Sequence, residues 1–174
     1  METLEQAAAR VATGDAAAFQ IIVAGTSDRL VRLAARLLGN ISDAEDVVQE
    51  AYVKAYRALV ADQFDGRSSM TTWLYRIVTR TAIDVLRSSK RRKQTDSMPE
   101  ASFDGAGLAE ARLALAELAD LLDALPEDQR VAIVLKSVEG LSTGEMAKIL
   151  DCSEGAVEQR LVRARATLRA RSSS

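Results

Sequence analysis

The chain has 174 residues, 48% of them hydrophobic, which is enough to bury the core of one ordinary domain or of two small ones. Its formal charge is −2, so nucleic-acid binding would have to come from local patches. With no histidine and one cysteine, Cys152, it has no Ser-His-Asp or Cys-His nucleophile, no histidine-based zinc site and no intrachain disulfide.

No run approaches the roughly 18 apolar residues of a membrane span. The start, METLEQAAARV, lacks the basic-then-apolar order of a secretory leader, so a cytoplasmic location is expected. Residues Glu2–Ala12 read as a short helix, with Gly14-Asp15 as a stop and restart. Ala16–Leu38 is helical by content. Gly25-Thr26-Ser27-Asp28 is expected to interrupt it, with Ser27 or Asp28 capping a new helix. Gly39-Asn40 is a C-terminal stop.

Ser42-x-x-Glu45 reads as a capping box for the next helix, whose apolar stripe is Val48, Ala51, Tyr52, Ala55 and Leu59. Asp46, Gln49, Glu50 and Val53 share another face. The four acids between Asp43 and Glu50 also suit a helix dipole, at about 0.3–1 kcal/mol each. Phe64–Ser69 is a polar loop. Met70–Arg87 then reads as a long helix, with Leu74, Ile77, Val78, Thr81, Ala82 and Val85 buried and Thr72, Arg76, Thr79, Arg80 and Arg87 on the other side. A basic cluster, SSKRRK, follows.

From Gln94 to Glu110 the composition shifts to four acids, no bases and the breakers Pro99, Gly105 and Gly107, which reads as a linker. LAEARLALAELADLLDAL resumes helix. Pro126 is expected at the first position of another helix, which Gly140 stops. Ser142-x-x-Glu145 caps a helix over Thr143–Leu150, Asp151-Cys152-Ser153 is a tight turn, and Ser153 caps a last helix to about Ala170. The expected fold class is all-α: two small helical domains joined by a flexible linker. The boundaries are 1–93, 94–110 and 111–174.

Short helix, three-residue turn and longer basic helix make a helix-turn-helix pattern, with Ile149 and Val157 placed to pack between the helices. Its second helix would lay N-terminal side chains in a major groove, where Gln pairs with adenine, Arg with guanine, and Glu accepts from cytosine. Glu154, Ala156, Glu158, Gln159 and Arg163 are candidates for base edges. Arg160, Arg163, Arg165 and Arg169 are candidates for phosphates. The acids of Asp43–Glu50 lack the alternating oxygen ligands of a calcium loop, and no phosphate-cradling Gly-rich loop is present. No metal, cofactor or enzymatic activity is expected.

Taken in order, DAEDVVQEAYVKAYRAL, FDGRSSMTTWLYRIVTRTAIDVLR and LPEDQRVAIVLKSVEGLSTGEMAKIL-DCSEGAVEQRLVRARATLR resemble a bacterial RNA polymerase sigma factor of the extracytoplasmic-function (ECF) type. The resemblance implies that Asp46, Gln49, Glu50 and Val53 dock on the clamp helices of the polymerase's largest subunit. It implies a second contact with the flap region of the second-largest subunit. Asp65, Gly66, Arg67, Ser68, Ser69 and Thr72 would form a minus-10 pocket, with Trp73, Arg76, Thr79, Arg80, Arg87, Arg91 and Arg92 along the melted strand. Trp73 has an equally good account as a core residue. Ser153, Glu154, Gly155, Ala156, Glu158, Gln159, Arg160 and Arg163 would read the minus-35 element. An anti-sigma factor is an implied partner, and the chain could be held at a membrane only through it, with no insertion of its own.

Three features depart from the family pattern. Arg80 stands where many members have Asn, Asp151 where Gly is usual in the turn, and Ile21-Ile22-Val23 is unusually apolar. Two other readings stay open from sequence. One is a stand-alone helix-turn-helix regulator. The other is a protein-interaction decoy for an anti-sigma factor.

Overall fold

A computed structural model describes residues 2–93 and 121–172, and seven α-helices lie wholly within them. The expected linker 94–110 and most of the helical run after it lie outside the described residues. So do the side chains of Arg91 and Arg92. No strand occurs among the described residues.

The first four helices form one bundle. Helix α1 (Leu4–Ala12) opens with a capping box between Thr3 and Gln6. A single 3-10 turn (Ala16–Ala18) leads into α2 (Phe19–Leu38). The interruption expected at Gly25–Asp28 does not occur, and α2 runs through it. Thr26 is buried, and its hydroxyl donates back to the Ile22 carbonyl at 2.6 Å instead of capping a new helix. A Cβ on Gly25 would stand 3.1 Å from Leu4 Cδ2, so this glycine lies where α1 comes closest. Gly39 ends α2 at φ 81°, its N–H donating to the Ala35 carbonyl.

Helix α3 (Ile41–Val60) also starts differently from the expectation. Asn40, not Ser42, is the N-cap, accepting from the Asp43 amide at 2.7 Å. Asn40 follows the left-handed Gly39 in an extended conformation, so the chain enters the helix two residues early. Helix α4 (Met70–Lys93) continues past Arg87 and takes the basic cluster into its last turns. Val11, Ile22, Leu30, Leu33, Leu37, Leu59, Leu74 and Val78 are almost wholly buried in this half. Each such side chain contributes about 1.5–3 kcal/mol relative to exposure. Ile22 of the unusual apolar trio belongs to this core, with Ile21 packed against it.

In the second half, α5 (Glu127–Ser137) begins after Pro126, which serves as the N-cap rather than the first helical residue. Helix α6 (Thr143–Leu150) has the expected capping box of Ser142 and Glu145. Helix α7 (Glu154–Ser172) follows the turn at Asp151–Ser153, with the Ala156 amide donating to Ser153 Oγ at 3.2 Å. Val131, Leu135, Met146, Ile149, Val157 and Ala164 close this smaller core. Helix α6 also packs on α4, and α5 on α2 and α4, so the two halves share an interface.

Candidate nucleic-acid interface

On α3, Asp46, Gln49, Glu50 and Val53 are all solvent-exposed, Val53 by 50%. The inner stripe of the same helix, Val48, Ala51, Ala55 and Leu59, is buried. Lys54 steadies the outer face, reaching Glu50 at 2.7 Å and the Thr81 hydroxyl of α4 at 3.1 Å. Two acids, one amide and one valine are thus presented together on the outer face of α3.

The loop before α4 is built from local bonds. The Arg67 amide donates to Asp65 Oδ1 at 3.0 Å, and Gly66 adopts φ 68°, which turns the chain. Ser69 Oγ accepts from the Thr72 amide, and Glu5 of α1 accepts from the Met70 amide at 3.1 Å. These contacts satisfy the free N–H groups that open a helix. The Met70 N–H holds the Glu5 carboxyl below the usual carboxylate range. Asp65, Gly66, Arg67 and Ser69 are exposed, and Ser68 is half-buried.

Along α4 the expected outward residues separate. Arg80 and Arg87 are exposed, Thr72 and Arg76 are half-buried, and Thr79 is fully buried, its hydroxyl without a hydrogen-bond partner. Trp73 is 6% exposed and leans on Phe64 with ring centroids 5.2 Å apart. In this arrangement it is a core residue, not a platform for a stacked base.

The helix-turn-helix is more open. Ser153, Glu154, Gly155, Glu158, Gln159 and Arg163 are exposed and Ala156 is half-buried, while Ile149 and Val157 close the gap between α6 and α7. Arg160 turns inward, to Cys152 Sγ at 3.5 Å and to Asp128 of α5 at 3.7 Å. That gives it a bracing role beside any contact with phosphate. No cluster of His, Cys, Asp and Glu suited to a metal occurs among the described residues.

Between the two halves lies a polar seam that the sequence did not disclose. Glu139, just past the end of α5, accepts from Arg36 of α2 at 2.7 Å and from the Tyr75 hydroxyl of α4 at 2.8 Å. Burial first, and then Glu139, push the Tyr75 hydroxyl well above its ordinary pKa. Arg130, 4% exposed, donates to the Leu37 carbonyl at the end of α2 and to the Leu122 carbonyl, both at 2.8 Å, and pairs with Asp123. Burial draws its guanidinium down to about 10, so it stays charged at neutral pH. Arg80 meets Asp151 at 2.8 Å. The two single-residue departures set apart in the sequence are therefore partners. A cleft of about 290 Å³ opens beside the seam, lined by Ser69, Thr72 and Tyr75 on one wall and Glu139, Glu145 and Ile149 on the other.

Residues 22–92 match the family described as Sigma-70 region 2, and residues 115–168 match Sigma-70, region 4. The ECF RNA polymerase sigma-E factor of Escherichia coli is 38% identical over 169 residues, covering 90% of this chain and 87% of that protein. The chain belongs to the ECF sigma factors. The solved structure of CnrH in complex with the cytosolic domain of CnrY matches this sigma factor with a TM-score of 0.69 at 35% identity, covering 94% of this chain and 93% of that one. The sigma factor RpoE in complex with the anti-sigma factor NepR from Bartonella quintana matches with the same TM-score at 28% identity, covering 87% and 94%.

Sequence reasoning about this sigma factor missed Arg36, Tyr75, Arg130 and Glu139. Arg36 and Glu139 are separated by 103 positions and Tyr75 and Glu139 by 64, and no local pattern marks such pairs. The one available signal was Asp151, an acid at a turn position whose φ of 52° favours glycine.

Proposed function

We propose that this ECF sigma factor binds core RNA polymerase through Asp46, Gln49, Glu50 and Val53, against the clamp helices of the largest subunit. A second contact of the helix-turn-helix domain would meet the flap region of the second-largest subunit. Residues 1–93 act at the minus-10 element, where Asp65–Thr72 receive an extruded base and Arg76, Arg80, Arg87, Arg91 and Arg92 hold the strand. Residues 111–174 read the minus-35 element with the N-terminal end of α7, and 94–110 link the two. The chain positions and opens DNA and catalyses no step itself.

A cytoplasmic site of action fits this role, and no described helix is long and apolar enough to cross a membrane. The likeness to CnrH with CnrY and to RpoE with NepR supports control by an anti-sigma factor that covers these same faces.

The observation that carries the reading is the coexistence, in one chain, of an exposed acidic helix face and an exposed helix-turn-helix reading face. Neither a stand-alone regulator nor a decoy needs both. The test is reconstituted transcription with sigma-free core polymerase on a genomic promoter pool. Discrete starts sharing two upstream boxes are expected. Glu50→Lys should abolish polymerase binding while circular dichroism stays unchanged, since a reversed charge in a docking face costs several-fold to many-fold in affinity. Wild-type protein that fails to bind polymerase would overturn the proposal in favour of a stand-alone regulator.

A further inference from the structure

Arg29 stands on α2 between buried Thr26 and buried Leu30, so its backbone is fixed by the core. Its side chain is exposed and has no ion pair or hydrogen bond among the described residues. It lines the cleft of about 290 Å³ together with Ser69, Thr71, Thr72 and Tyr75. Ser69 and Thr72 belong to the stretch proposed above to receive an extruded base. The charge of Arg29 is felt at the Tyr75 hydroxyl, where burial and Glu139 raise the pKa and Arg29 and Arg36 oppose the rise.

The other charged groups of the cleft are engaged. Glu139 accepts from Arg36 and from Tyr75. Glu145 accepts from the amide and the hydroxyl of Ser142. Arg29 is the one charged residue of the lining without such a partner among the described residues. A guanidinium keeps its charge at any working pH. Held beside the Ser69 and Thr72 hydroxyls, its flat fork of donors suits a phosphate.

Helical period puts Arg29 opposite the cations already assigned to the strand. On α4, Arg76 and Arg80 follow Thr72 in steps of four and lie to one side of it. Thr71 and Tyr75, also four apart, lie to the other side, and that is the side Arg29 meets. Arg29 is also level with the pocket. Arg80 lies about 12 Å and Arg87 about 22 Å further along α4 than Thr72. Arg67, in the pocket loop itself, is paired with Asp65 at 3.4 Å. A strand seated on Thr72 thus has the α4 cations on one flank and Arg29 on the other.

We propose that Arg29 of α2 holds the backbone phosphate next to the base received by Asp65–Thr72, on the flank of the strand away from Arg76 and Arg80. The contact rests on the minus-10 assignment made above. It fixes the register of the strand and carries no sequence information, which is left to the pocket.

The test uses the full chain bound to core polymerase. The probe is a fluorescein-labelled single strand carrying the minus-10 box of a promoter recovered in the transcription assay. Arg29→Gln should weaken binding about fivefold, the upper range for an exposed charge pair. It should also lower the slope of log affinity against log salt by about 0.7, the value for one phosphate on a single strand. Arg29→Lys should keep the slope. Neutral methylphosphonate is then placed at one linkage at a time. Wild-type protein should lose affinity at the linkage beside the pocket base, and Arg29→Gln should be insensitive at that linkage alone. Arg32→Gln removes the same charge from the same helix outside the cleft and should leave the methylphosphonate pattern as in wild type. Arg29 is exposed, so circular dichroism of its variants should match wild type.

An unchanged salt slope in Arg29→Gln, with wild-type transcription intact, would overturn the contact and leave the sigma reading standing. Equal losses in Arg29→Gln and Arg32→Gln, with the full methylphosphonate pattern kept in both, would overturn it too, since that is the mark of a general field. Wild-type protein that gives no starts with core polymerase would instead overturn the sigma reading, and this contact with it.

Discussion

The proposed minus-10 face on α4 and the proposed minus-35 face on α7 are built alike, from a long helix entered through a turn whose serine caps it. They differ in what lies over them. On α4, Thr79 is sealed, Thr72 and Arg76 are half-buried, and Arg80 is paired. On α7, Glu158, Gln159 and Arg163 stand in solvent. The difference teaches that exposure of a binding face is not a property of its helix. Helical period sets which residues point away from the local core, and a second packed unit decides whether those residues meet water or protein.

The comparison can be broken most severely at Ile149, which closes the helix-turn-helix and also lines the cleft over α4. Ile149→Ala should cost about 2–5 kcal/mol in the second half, seen as a lower melting transition. It should blur the contrast by loosening both faces at once. A change below about 1 kcal/mol would show that this side chain bridges little.

Arg163→Ala acts on the open face alone. A loss of about 1–3 kcal/mol confined to minus-35 sequence, measured by titration against a scrambled duplex, is expected for a base contact. An equal loss on both duplexes would make Arg163 a phosphate contact.

Thr79→Val sharpens the contrast from the covered side. It replaces a buried hydroxyl that has no partner with a methyl of similar shape. The folded chain should gain about 1 kcal/mol, read as a higher melting temperature. Destabilisation instead would mean that the hydroxyl has a partner in solution.

The smallest effect is expected at Glu5, which caps α4 from outside. Its native pKa is depressed, so the stabilisation it gives is present above the ordinary carboxylate range and is lost as pH falls through the native value. Because Glu5 is exposed, Glu5→Gln should cost under about 1 kcal/mol at neutral pH. Acid titrations of variant and wild type should converge at low pH.

Much of the molecule was legible before its structure. Thr143–Leu150, its capping box and the turn that follows were readable because serine, glutamate and helical period act over three or four residues. The inner stripe of α3 followed from the same period. Errors arose where local signals competed. Thr26 could cap a helix or bond back within one, and the close approach of α1 at Gly25 favoured the continuous helix. Asn40 and Ser42 are both good caps, and the left-handed Gly39 chose the earlier one.

By itself the sequence determined an all-α chain, a helix-turn-helix from Thr143 to about Ala170, an acidic outer face on α3 and a family resemblance that the comparisons bear out. Only the tertiary structure decided that Trp73 and Thr79 are buried, that Glu139 joins Arg36 to Tyr75, and that Arg80 meets Asp151 71 positions away. The physical reason is range. Capping and periodicity are written in neighbours along the chain, whereas an ion pair between two packed units depends on how their surfaces meet, and that is set by the shape and charge of the whole interface.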